Sequence, residues 1–254
     1  MNKIPLSKSF IANTVTSLNV LCGFLSIVYA SSGDYRLASI LIIAAAIFDT
    51  LDGITARLLH TSSMFGVELD SLSDVVSFGA APAFLIYKAY AYQFGIWGIL
   101  LSSCLLIFGA LRLARFNIQV EDLNTKGDFK GLPIPLSAMT ISLLVLSYYN
   151  DGKIVEPFNS IVVVLIIMLS LLMVSKVRYN ALPKLKDKKL KEKIFLFGIL
   201  LIALILAIAT NGQILFFIFL GITLFGILRH LLMLILKKKD PLDNGLKTSE
   251  NHSV

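Results

Sequence analysis

The sequence predicts an all-α polytopic membrane bundle of about eight transmembrane helices, on three observations. Apolar residues make up 56% of the chain and charged residues 15%, where a soluble domain would carry roughly 25% charged residues. The mean hydropathy is +0.81, and the apolar residues fall in runs that meet the roughly 20 residues a helix needs to cross a hydrocarbon core. The cations are also partitioned. If the runs alternate in direction, 20 of the 23 Lys and Arg fall on one side and only Arg36, Lys88 and Lys153 on the other. That asymmetry marks the rich side as cytoplasmic.

Taken in order, residues 4 to 12 mix apolar and basic positions and read as a short interfacial helix. A first span follows at about 13 to 31; no small-residue cleavage site comes after it, so the segment is expected to be retained. Further spans are expected at about 35 to 59, 66 to 90, 95 to 119, 133 to 149, 158 to 175, 194 to 210 and 213 to 236. Trp97, Tyr90, Tyr92, Tyr148 and Tyr149 cluster near the outer ends, as an aromatic belt would. Between the sixth and seventh spans, Lys176 to Lys193 holds eight cations, two acids and Pro183, and reads as a connection lying against anionic headgroups. The tail from Asp240 to Val254 is polar and expected to be disordered. An even number of spans puts both termini in the cytoplasm of a protein integral to the cell membrane. Cys22 and Cys104 sit in different apolar runs and suggest neither a disulfide nor a metal site. His60 and His230 lack metal-ligand spacing and read as interfacial residues.

The acids of the second and third spans carry the chemistry. Asp49, Asp52, Asp70 and Asp74 stand in otherwise apolar helices, where an uncompensated carboxylate costs several kcal/mol and marks a functional site. Asp49 and Asp52 are three apart and Asp70 and Asp74 four apart, so each pair shares one helix face. Only residues 60 to 66 join the two helices, which should therefore run antiparallel as neighbours. At about 1.5 Å per residue the two pairs overlap in depth, about 6 to 15 Å from the cytoplasmic ends. Four carboxylates converging there would repel one another unless cations sat between them. All-oxygen ligands favour Mg²⁺ or Mn²⁺ over zinc, and two such ions suit in-line phosphoryl displacement. Glu68 falls on another face and is expected at the surface or helix start.

From Asp49 to Asp74 the chain reads D-x2-D-G-x2-A-R-x8-G-x3-D-x3-D, with eight fixed positions in 26 residues. This pattern resembles the signature of the CDP-alcohol phosphotransferase family without departure. The resemblance implies a six-helix catalytic core, usually in a homodimer, that transfers a phosphatidyl-type group from a CDP-linked lipid to an alcohol and releases CMP. It implies two divalent metal ions on Asp49, Asp52, Asp70 and Asp74, with Asp74 also the base for the attacking hydroxyl. Nucleotide contacts are expected at Asn19, Asp52, Gly53, Ala56, Arg57 and Gly66. Small residues let a nucleotide approach the backbone and Arg57 offers a fork to phosphate, although small residues also pack membrane helices and Asn19 could instead bond a neighbouring helix.

The segments Thr16 to Gly23, Arg112-Leu113-Ala114-Arg115-Phe116-Asn117, Phe129 to Pro135 and Val174 to Tyr179 resemble the phosphatidylserine synthase branch of that family. The acceptor would then be L-serine, whose carboxylate needs a cation. Arg112, Arg115 and Lys130 are the candidates for it or for the lipid phosphate, against a bland reading as membrane-anchoring charges. Arg112 is the least bland because it lies inside an apolar stretch. The resulting division is a catalytic membrane domain over 1–180, a basic connection with two additional helices over 181–236, and a polar tail over 237–254. The donor could be a CDP-diacylglycerol or a CDP-archaeol. Other acceptors such as glycerol phosphate or inositol phosphate would keep the chemistry, and a divalent-cation transporter is a distant alternative. No nucleic-acid partner is expected.

Overall fold

The computed structural model describes residues 8–59, 64–121, 131–177, 179, 210 and 212–239. They form an α-helical bundle. Five described helices are long and apolar enough to cross a membrane, and two more are apolar but shorter. Apart from Thr210, the expected span at 194 to 210, the basic connection from 180 and the tail from 240 lie outside the described residues.

Helices α1 (Lys8–Ser31) and α2 (Tyr35–Leu59) form the first hairpin. Lys8 to Phe10 already belong to α1, so no separate interfacial helix starts there; residues 4 to 7 are outside the description. Gly33, at φ +89°, ends α1 in a left-handed turn in which Gly33 N–H donates to Ala30 and Asp34 N–H to Tyr29. Asp34 then caps α2 by accepting from Leu37 N–H at 2.9 Å. Small residues Ala30, Ala38 and Ala45 are fully buried, and Ser26 donates to the Ala38 carbonyl across the pair.

The third span is one run of helix with a changed winding. α3 (Met64–Asp74) passes into a π-helical segment (Val75–Ala80) and then α4 (Ala81–Ala89). Pro82 has no N–H to give the carbonyl one turn back. The ladder upstream widens accordingly, with Ala81 N–H donating to Val76. After a 3₁₀ turn (Ala91–Phe94) come α5 (Ile96–Glu121), α6 (Ile134–Tyr148), α7 (Phe158–Val174) and α8 (Gln213–Lys239).

α6 is the central post. Ile134, Ala138, Ile141, Leu144 and Val145 are all buried, as befits a helix apolar on every side. At 15 residues it is shorter than a bilayer core, and it is anchored by backbone bonds instead. Gly131 N–H donates to Val177 and Leu132 N–H to Leu172. A Cβ at Gly131 would collide with the Met173 carbonyl, which explains the glycine. One element departs from the all-helical expectation. Tyr149–Asn150 pairs antiparallel with Lys153–Ile154 around Asp151-Gly152, both at positive φ.

At this end of the bundle Tyr148 stacks on Phe158 with centroids 3.7 Å apart and meets Phe216 edge-on. Trp97 and Tyr92 face outward as expected of a belt, whereas Tyr148 and Tyr90 are buried by ring packing and are not belt residues. Tyr179 pins α8. Its hydroxyl donates to the Thr223 carbonyl at 3.1 Å, its ring fills the notch at Gly226, and burial pushes its phenol up to about 12.

Candidate active site

The acids of α2 and α3 meet. Asp49, Asp70 and Asp74 each present a carboxylate oxygen, all within 4.8 Å of one another. Asp49 lies ten residues before the end of α2 and Asp74 ends α3, so the antiparallel neighbours bring them to one depth. Asp74 is buried, and Asp49 and Asp70 are half-buried. The carboxyl groups of Asp49 and Asp74 lie at hydrogen-bonding range of each other. Two carboxylates this close need a cation or a proton between them.

Asp52 is not in that triad. Only 6% exposed, it has the Thr16 hydroxyl and the Gly53 backbone as hydrogen-bond partners, which turn it toward α1. Its Oδ2 and the Oδ1 of Asp70 are nevertheless buried and without a partner among the described residues. An orphaned carboxylate oxygen beside three others suits hard divalent cations, and neither His nor Cys stands in the group. The residues present therefore fit Mg²⁺ or Mn²⁺.

α1 forms the wall behind the acids. Asn19 is fully buried and its Nδ2 reaches Asp74 Oδ1 at 3.5 Å, leaving its own Oδ1 orphaned. Ser77, in the π segment, donates to the Asn19 carbonyl at 2.9 Å, and a Cβ at Gly23 would collide with the Ser77 hydroxyl. Ser73 donates to the Leu69 carbonyl of its own helix at 2.8 Å, and its hydroxyl lies 3.4 Å from the Thr16 carbonyl of α1. The widened winding after Asp74 thus presents Ser77 to α1 at the close approach that Gly23 allows. Thr16, Ser73 and Ser77 were not among the residues expected at the site. Thr16, Asn19, Gly23 and Ser26 share a face at helical spacing, a polar stripe that could have revealed this wall.

α5 closes the other side. Arg112 is half-buried within electrostatic reach of Asp74, and its Nε is buried with no partner. Arg115 is turned away, its Nη1 donating to the Val174 carbonyl at 3.2 Å at the end of α7. Asn117 donates to Ser71 Oγ at 3.0 Å, tying α5 to the helix that carries Asp70. Gly53 and Gly66 are half-buried on α2 and α3, and Glu68 is exposed off the site. Ala56 and Arg57 continue α2 beyond the acids, but their side chains, like all of Lys130 and His60, lie outside the described residues.

An oxygen-rich cluster in a membrane bundle, with the unpartnered Nε of Arg112 within electrostatic reach, is equipped to hold phosphates through cations and to take a proton from a hydroxyl. Residues 9–172 match the family described as CDP-alcohol phosphatidyltransferase. The chain belongs to that family. A CDP-diacylglycerol–serine O-phosphatidyltransferase of Helicobacter pylori is 37% identical over 228 residues, 88% of this chain and 92% of its own length. One of Methanocaldococcus jannaschii is 39% identical over 225 residues, 87% of this chain and 94% of its own. An archaetidylserine synthase of Methanothermobacter thermautotrophicus is 41% identical over 177 residues, 67% of this chain and 70% of its own. The matched region contains α2 and α3, the helices whose carboxylates converge.

Proposed function

We propose that this membrane enzyme transfers the phosphatidyl group of a CDP-linked lipid to the hydroxyl of L-serine, giving a phosphatidylserine-type lipid and CMP. The observation that carries the reading is the convergence of Asp49, Asp70 and Asp74 within reach of Arg112, whose Nε has no partner among the described residues. The names of the relatives favour serine as acceptor.

Asp49, Asp52, Asp70 and Asp74 would hold two divalent ions, Mg²⁺ or Mn²⁺, which when bound neutralise the phosphate charge and polarise the phosphorus centre. Asp74, fixed by Asn19, orients the serine hydroxyl and takes its proton. The serine oxygen forms its bond to the lipid-side phosphorus as the bond from that phosphorus to the CMP oxygen breaks. Asn19, Gly53, Ala56 and Gly66 line the nucleotide's approach, and Arg57 steadies the phosphates with its forked donors. Arg112, paired with no group at Nε, receives the serine carboxylate or the lipid phosphate. Of the other candidate cations, Arg115 is engaged by the Val174 carbonyl, and Lys130 is the second candidate for the serine carboxylate or the lipid phosphate. The excess of cations on this side of the sequence supports a site and termini that face the cytoplasm. The catalytic domain spans 1–180 and works as a homodimer; 181–236 and 237–254 are the added helices and tail.

The test is CMP release by the purified protein given a CDP-linked lipid and Mn²⁺ or Mg²⁺, with and without L-serine. Serine-dependent release that EDTA abolishes is the expected result. Release with glycerol phosphate or an inositol phosphate but not with serine would keep the reaction and reject the acceptor.

A further inference from the structure

A cavity of about 820 Å³ lies at the other end of the bundle, between the start of α2, the end of α6, the hairpin and the first turns of α7 and α8. Its size is that of a ligand pocket, typically about 300–1,000 Å³. Its walls change character with depth. On α2, Arg36 stands at the mouth, and Ile40 and Ile43 follow on the same face one and two turns deeper. α6 runs the opposite way, so Ser147 is at the mouth and Leu143 and Leu146 lie below it. Both walls thus pass from polar to aliphatic over about 10 Å. Asn150 and Gln213 add amide donors to the rim.

The rim carries both signs of charge. Arg36 is one of only three cations on this side of the sequence. Glu156 also lines the cavity and is held by Asn159, at 3.2 Å from Oε1, and Ser160, at 2.9 Å from Oε2. Each oxygen keeps a lone pair for a further donor. A water-soluble ligand would gain nothing from an aliphatic floor inside a membrane. A molecule with a phosphate, an ammonium and acyl chains matches every wall.

We propose that this cavity binds an aminophospholipid of the leaflet opposite the acidic cluster, with its phosphate on Arg36, its ammonium on Glu156 and its first methylenes on Ile40, Ile43 and Leu143. The site is separate from the catalytic one, since Arg36 and Asp49 lie thirteen residues apart on one helix, about 20 Å. It does not rest on the choice of acceptor alcohol.

The experiment is native mass spectrometry of the full-length protein, delipidated and titrated with phosphatidylethanolamine or with phosphatidylglycerol of the same chains. Retention of phosphatidylethanolamine is expected to exceed that of phosphatidylglycerol, and Arg36→Gln to lower it about fivefold, the worth of one interfacial cation. Lys88→Gln, which changes a cation on the same side outside the cavity, should leave it unchanged. Glu156→Gln should erase the preference between the two lipids. CMP release should be unaltered in all three variants. Equal retention of both lipids by the unmodified protein, equal retention by Arg36→Gln, or displacement of the bound lipid by a CDP-linked lipid would each overturn the proposal. A photo-crosslinking phosphatidylethanolamine on the unmodified protein gives a check independent of any variant. Labels within 36–43 or 143–156 support the site, and labels confined to α1 or α5 refute it.

Discussion

α2 begins among satisfied groups and ends among unsatisfied ones. At its start Asp34 caps the first turn, Ser39 donates to the Tyr35 carbonyl, and the Tyr35 hydroxyl donates to Lys88 of α4. At its other end Asp52 Oδ2 is orphaned, and so are Asn19 Oδ1, Asp70 Oδ1 and Arg112 Nε on three other helices. Only one further orphan is found among the described residues, Ser142 Oγ in α6. Buried polar groups are nearly always paired in folded proteins. Arg36 apart, the polar groups at the start of α2 find partners within the chain and serve architecture. Those at its end are arranged for partners that arrive with substrate.

Changes at the two ends should therefore separate activity from stability. The largest effect is expected at Asp74. Asp74→Asn keeps the shape and removes the base, so turnover should fall by about 10³-fold or more, while melting temperature holds or rises as repulsion among the carboxylates is relieved. A variant that turns over normally would remove Asp74 from the mechanism. Phe216→Ala is the mirror experiment. It opens the aromatic cluster of Tyr148 and Phe158 and should cost about 3 kcal/mol of stability, with the kcat of the surviving folded protein unchanged. A loss of kcat at full stability would break the comparison.

Arg112 and Arg115 sharpen it. Arg112→Gln should raise the KM for serine about 30-fold, the loss of roughly 2 kcal/mol from a charged hydrogen bond, with little change in melting. Arg115→Gln gives up the bond to Val174 and should lower melting temperature while leaving the KM for serine near its starting value. Equal effects of the two on KM would mean that both touch substrate. The smallest effect is expected at Ser77→Ala, which removes the bond to the Asn19 carbonyl and should cost about 1 kcal/mol and a few-fold in kcat, measured by denaturation and CMP release.

Apart from α1, which begins five residues before the expected span, the limits of the described helices lie within about three residues of those read from hydropathy, because long apolar runs have few ways to end in a bilayer. The π segment was not legible, since Pro82 alters hydrogen-bond register without altering apolar pattern. The hairpin was signalled by Asp151-Gly152 but hidden by its neighbourhood of apolar helices. At the site the acids stood out, because a charge in an apolar run is conspicuous. Thr16, Ser73 and Ser77 did not, because a hydroxyl in a span has a ready local partner in its own helix. Sequence favours Arg112 over Arg115 through its apolar setting, but only the neighbouring helices determine that Arg112 stands within reach of Asp74 while Arg115 bonds the end of α7.

The seat of Tyr179 against α8 makes the attachment of that helix a proton equilibrium. An ordinary phenol ionises near 10, whereas the docked Tyr179 holds its proton to about 12 because burial disfavours the anion. Between those values the undocked form binds fewer protons than the docked one, so rising pH weakens the attachment, and below about 10 it is at full strength. Alkali should thus act as a release agent for the last helix. Tyr179→Phe would lose the bond to Thr223 and with it the alkaline sensitivity, which the exposure of α8 to limited proteolysis across the alkaline range would reveal.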